Sequence, residues 1–175
     1  MQAISVWQPF ATLLVSGKKS CETRHWPIRH RGTLLIHAAK TWNADIAYVT
    51  ANPLFRRTLK AIGYDIVADE KRAKGAWGLP LGAIVGMVNV VDCFPTERVY
   101  VDNDLDLGFD RRPWPQKKYD ALAVSKDEWS FGDFGPGRFA WLCAKPVMFA
   151  TPIPYRGAQG VFDVPDSVIP EEYRG

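Results

Sequence analysis

The stretch Ser5–Lys40, SVWQPFATLLVSGKKSCETRHWPIRHRGTLLIHAAK, decides how the rest of this 175-residue chain is to be read. Ala3 to Val6 is a short apolar run suited to a first strand, and Trp7-Gln8-Pro9 interrupts it before a second apolar segment, Phe10 to Val15. Proline suits a first helical position, where its missing amide hydrogen would have no partner anyway, and glycine suits the left-handed position that ends a helix. Pro9 and Gly17 therefore predict a short buried helix over residues 9–16. Ser20–Arg24 and Gly32–Ala38 follow as strands, the second apolar on both faces and hence central.

The same stretch concentrates the charge. Between Lys18 and Lys40 six basic residues face the single acid Glu22, whereas the rest of the chain holds 16 basic and 18 acidic residues. All three histidines, His25, His30 and His37, fall there too. A local positive field attracts polyanions with an affinity that weakens steeply with salt. The other reading of such a run is a solvated basic face without a partner.

Outward from this stretch, Asn43 or Asp45 caps a predicted helix through Ala47, Val49, Leu54 and Leu59, which Pro53 should kink or divide. Residues 63–80, with Asp69, Glu70, Lys71, Arg72 and Lys74, read as an exposed connection. Gly82–Phe94 is long and β-branched, a core strand in which Gly86 permits a bulge. Residues 95–136, including Arg111-Arg112-Pro113-Trp114-Pro115, show no steady period and read as an insertion. Strand character returns over Arg138–Phe149, with shorter candidates at Thr151–Tyr155 and Gly160–Val164. Many strands between glycine and proline turns, with few helices, predict an α+β fold built on a barrel or strongly curved sheet. The length predicts one domain over residues 1–175.

Composition is globular, 47% hydrophobic and 13% aromatic. Cys21, Cys93 and Cys143 contain no CxxC pair and match neither a disulfide framework nor a common zinc spacing. They read as reduced thiols. Cys21, His25, His30 and His37 are close in sequence, but their spacing and the intervening strand argue against a metal site, and no cofactor is expected. There is neither a P-loop nor a G-x-S-x-G elbow. With no secretory-type start and no apolar run of about 18 residues, the chain is expected to be cytoplasmic.

Gly17, Lys19, Glu22 and Arg24 meet a G-x-K-x-x-E-x-R pattern, extended by Gln8-Pro9 before it and by Trp26, His30-Arg31-Gly32 and His37-Ala38-Ala39-Lys40 after it. In this the chain resembles the ASCH domain, and VGMVNVVDCF and GPGRFAWLC look like later strands of that family. Residues 41–80 and 95–136 are weakly covered and read as variable insertions. The resemblance implies a PUA-like curved β-barrel with a short helix across one mouth and further peripheral helices. It also implies a cleft for RNA, single-stranded DNA or a modified nucleoside.

The motif has a chemistry of its own. A helix ended by Gly17 delivers Lys19 into a strand on which Ser20, Glu22 and Arg24 alternate onto one face. Arginine offers a planar fork to phosphate, lysine a point charge, and glutamate an acceptor for a base amino group. Equally, the three can form an internal ion-pair network that pins the helix. The candidate binding residues are Lys18, Lys19, Glu22, Arg24, His37 and Lys40, with Trp7 and Trp26 as stacking platforms and Arg138 at the rim. Burial is the competing role for the tryptophans and for His37. The second functional class is a hydrolase acting on nucleic-acid substrates, since some ASCH proteins look like ribonucleases and others like amidohydrolases of N4-acylated cytidine. In such an enzyme Lys19 and Glu22 would be the catalytic pair, although Glu22 stands where the amidohydrolase branch carries a threonine nucleophile. A structural or protein-interaction role ranks third.

Overall fold

In a computed structural model of the chain, residues 1–66, 76–102, 117–118 and 121–174 are described. The strands are β1 (Gln2–Val6), β2 (Cys21–Arg24), β3 (Gly32–Ala38), β4 (Ala83–Pro95), β5 (Val99–Val101), β6 (Lys117–Lys118), β7 (Ala121–Val124), β8 (Phe139–Pro154) and β9 (Val161–Asp163). The helices are α1 (Phe10–Val15), α2 (Ala44–Ala51), α3 (Pro53–Lys60) and α4 (Lys126–Ser130). A mixed sheet of order β2-β8-β4-β3-β1-β9, a small sheet of order β5-β7-β6 and these few helices make an α+β fold, the predicted class. The chain forms two compact units, Met1–Lys18 with Thr33–Val88 and Pro146–Gly175, and Lys19–Gly32 with Asn89–Lys145. Strands β4 and β8 each contribute to both.

In the first unit β1 runs parallel to β3, with Ala3 opposite Leu35 and Ser5 opposite His37, and β9 pairs antiparallel on its other side. Leu34, Leu35 and Ile36 are all buried, so both faces of β3 are covered, as a strand in parallel pairing requires. The core gathers Ala3, Leu35, Ile84, Phe149, Val164 and Ile169. Helix α1 buries Ala11 through Val15 and ends where Gly17 takes φ +73°. Buried Gln8 holds its entrance, accepting from Thr12 N at 3.2 Å and donating to Pro80 O at 2.9 Å. The glycine in β4 answers to crowding: a Cβ at Gly86 would collide with Val147 O and the Val15 side chain. Pro53 divides the predicted long helix in two, standing at the first position of α3, while Asn43 caps α2 and Asn52 caps α3. Thr151–Pro154, expected as part of a separate strand, continues β8.

In the second unit β2 pairs antiparallel with the first half of β8, Cys21 opposite Leu142 and Arg24 opposite Phe139. Cys21, Phe94, Val99, Leu122, Val124, Phe134, Ala140 and Leu142 form its core. The region read as lacking a period contributes two apolar core strands, β5 and β7, paired in parallel with Val99 opposite Leu122. Each is only three or four residues long, too short for a periodic signal. The charged run Asp69–Lys74 and the Arg111–Pro115 string lie outside the described residues. Among the described residues no helix is long and apolar enough to cross a membrane.

Candidate functional site

Within the first unit the parallel strands β1 and β3 end side by side, and Ala39 N donates to Val6 O at 2.9 Å. Ser5 and His37, being opposite each other, share a face there. They form part of a pocket of about 870 Å³ that Ala39, Lys40, Leu81, Gly82 and the segment Pro154–Gln159 complete. Lys40 and Arg156 are exposed on its wall, and among the described residues no carboxylate lines it. Neither cation has an ion-pair or hydrogen-bond partner among the described residues. Trp7, two residues beyond Ser5, is 55% exposed at the same strand end.

His37 is 3% exposed. Its Nε2 lies 3.0 Å from Tyr155 O and its Nδ1 3.0 Å from Ser5 Oγ, which in turn lies 3.1 Å from Ala158 O. Burial pushes the imidazole pKa below its ordinary 6.5, partly opposed by the bond to Tyr155. The loop after β8 packs so closely on the ring that a Cβ at Gly157 would collide with His37 Cε1. Lys18, the last residue of this unit's first segment, is partly buried, which lowers its ammonium pKa.

The other sequence candidates, Lys19, Glu22, Arg24, Trp26 and Arg138, belong to the second unit. Lys19 is 2% exposed, donates from Nζ to Phe131 O at 2.7 Å and lies 3.8 Å from Glu128 Oε1. Arg24 Nε and Glu22 Oε1 are 2.8 Å apart, an ion pair lacking hydrogen-bond alignment. Arg31 pairs with Asp92 at 3.3 Å, and Arg138 with Asp133 at 3.3 Å while also donating to Thr23 O. Trp26 packs edge-on against buried Trp141, ring centroids 4.6 Å apart, and its carbonyl accepts from the Trp141 indole at 3.1 Å.

Three residues that matter escape the sequence reading. Glu128, 2% exposed, accepts from Ser20 N at 2.7 Å, Ser20 Oγ at 2.8 Å and Cys21 N at 2.9 Å. The spacing Ser125-x-x-Glu128 is a helix-start signature. Ser125 Oγ indeed accepts from Glu128 N at 3.0 Å, but the carboxylate turns to β2. Ser5 is visible only once β1 and β3 are paired. Arg156 stands between Tyr155 and Gly157-Ala158-Gln159-Gly160, a glycine-bounded turn that marks an exposed arginine.

The first unit thus brings together Ser5, His37, Lys40 and Arg156 in a cationic pocket with Trp7 at the same strand end. In the second, Lys19, Arg24, Arg31 and Arg138 are each held in an ion pair. Among curated proteins none matches the sequence. Among solved structures the chain is similar to the ASCH protein from Zymomonas mobilis: 14% identity and a TM-score of 0.45, covering 95% of this chain and 89% of that one. A point mutant of the same protein gives 15% identity and a TM-score of 0.45 over 95% and 91%. The family model of the ASCH domain matches residues 4–152, most of the sequence, and the chain belongs to that family.

Proposed function

We propose that this chain binds single-stranded nucleic acid or a nucleotide, and that the pocket at the ends of β1 and β3 receives the phosphate-bearing part. The observation that carries this reading is the uneven pairing of the cations. Lys19, Arg24, Arg31 and Arg138 each have a carboxylate within 4 Å, whereas Lys40 and Arg156 share a pocket that no carboxylate lines. A polyanion gains from neutralising a charge that the fold has left unneutralised, and gains little from one already paired. A volume of about 870 Å³ is of the size that takes one or two nucleotides. The exposed Trp7 offers a face on which a base can stack, worth about 1–3 kcal/mol in single-strand binders. The family is one proposed to bind RNA.

On this reading Lys19, Glu22 and Arg24 are the frame of the second unit, and the binding residues are Lys40, Arg156 and Trp7. The test is titration of a labelled single-stranded oligonucleotide at low salt. Lys40→Ala and Arg156→Ala should each weaken binding roughly fivefold to tenfold, about 1–1.4 kcal/mol. Arg24→Ala should change it less than twofold. Unaltered affinity in the Lys40→Ala/Arg156→Ala double variant would overturn the assignment.

A further inference from the structure

We infer that His37 is a proton-linked positioning residue of this pocket, taking up a proton as an ionised phosphate of single-stranded nucleic acid enters and tightening the loop Tyr155–Gly160 in the same step. This rests on the binding reading above and adds to it a group whose charge changes on binding.

The basis is a count of hydrogens. A carbonyl only accepts, so His37 Nε2, 3.0 Å from Tyr155 O, carries a hydrogen. Ser5 has one hydroxyl hydrogen, and His37 Nδ1 at 3.0 Å and Ala158 O at 3.1 Å compete for it. When the ring is neutral, Nδ1 bears a lone pair and takes that hydrogen, and Ala158 O gives up its bond from Ser5. When the ring is protonated, Nδ1 donates to Ser5 Oγ and Ser5 donates to Ala158 O. Only the charged ring satisfies the whole series Tyr155, His37, Ser5 and Ala158, and that series fastens the loop at two carbonyls instead of one.

What opposes the charged ring is its setting. Strand β1 presents Ser5, β9 presents Phe162 edge-on with centroids 6.1 Å apart, β3 leads to Lys40, and the loop presents Tyr155 and Arg156. The acid on β9, Asp163, pairs with Gln2 at the opposite end of β1. Among the described residues no counter-ion therefore lines the pocket, and burial keeps the free ring neutral at pH 7. A phosphate supplies the missing negative charge. Both ring nitrogens are spent on the protein, so the ring contributes charge and loop position, while Lys40 and Arg156 meet the ligand directly.

The experiment follows the affinity of a rhodamine-labelled oligothymidylate without terminal phosphate, whose internal phosphates do not titrate, between pH 5.5 and 8.5. Wild-type affinity should rise as pH falls, by up to about tenfold per pH unit where one proton is taken up. In His37→Gln, which keeps hydrogen-bonding groups at the position and cannot be charged, the slope should vanish while affinity near pH 8 persists. Ring resonances of His37 should titrate at a higher pH with the oligonucleotide than without it. A flat wild-type profile, or an equal slope in His37→Gln, overturns the inference and leaves the binding reading standing. Absence of binding at every pH overturns both.

Discussion

Glu128 Oε1 lies 3.8 Å from Lys19 Nζ across 109 residues of chain, and both side chains are almost wholly buried. The carboxylate also satisfies three donors at the start of β2, and the ammonium a carbonyl at the end of α4. Removing one partner strands the other, which is the costly way to break a buried pair. Glu128→Ala should lose about 3–5 kcal/mol in urea unfolding. A variant as stable as the parent would mean that Lys19 finds other compensation.

Salt dependence separates the paired cations from the unpaired ones. Each phosphate contact on a single strand contributes about 0.7 to the slope of log affinity against log salt. Lys40→Ala and Arg156→Ala should each reduce that slope by about this amount, and Arg24→Ala should leave it unchanged. Equal reductions in all three would assign the ligand a footprint that includes β2.

Two glycines test space against backbone conformation. A methyl at Gly86 has nowhere to go, because Val147 O and Val15 occupy its place, so Gly86→Ala should cost about 1–3 kcal/mol or more. Gly160, at φ +68°, has no atom within 4 Å of that position, and Gly160→Ala should cost about 1–2 kcal/mol from the left-handed backbone alone. Thermal melts of the two variants should rank in that order, and the reverse ranking would refute the crowding at Gly86.

The thiols should be sluggish nucleophiles. Burial raises Cys143 to about 12 and Cys21 well above the ordinary thiol value, each with a nearby carboxylate adding to the effect. Burial also raises half-buried Cys93, against a backbone hydrogen bond that lowers it. A thiol reagent at pH 8 should label Cys93 first in the native protein and all three only after unfolding. Early labelling of Cys143, read by mass spectrometry, would contradict its burial.

Acid should weaken the fold partly through His37. Its folded pKa lies below the unfolded value of 6.5, so between the two the unfolded chain binds the extra proton. Stability is full above pH 6.5 and falls as pH drops from there through the folded pKa. His37→Gln should therefore show a smaller stability difference between pH 7.5 and 5.5 than wild type. An unchanged difference would place the acid sensitivity elsewhere.

What was legible in the sequence was whatever a local pattern dictates. Leu34-Leu35-Ile36 and Ala83–Val90 announce covered strands, Pro9 and Gly17 bracket α1, and Pro53 divides two helices because it has no amide to donate. The family pattern was legible too, since it sits within one turn and one strand. Less legible was which cations the fold neutralises. Lys19 looked available beside Lys18, yet its partner comes from α4, and Lys40 looked like one basic residue among six until Arg156, 116 positions later, joined it on the pocket wall. Charge counted along a chain is blind to such pairings. Strands β5 and β7 were missed for a related reason, as three apolar residues gain meaning only from the strand beside them.

The Glu128 carboxylate has one more consequence. Among the described residues strand β2 is the outermost of its sheet, with β8 on its one paired side. An unpaired strand margin invites another chain to extend the sheet, the usual seed of aggregation. Here the amides of Ser20 and Cys21 already point into the Glu128 carboxylate, so at its entry the margin has no donor to offer an incoming strand. One buried acid on a five-residue helix thereby also guards the protein against polymerising through its own sheet.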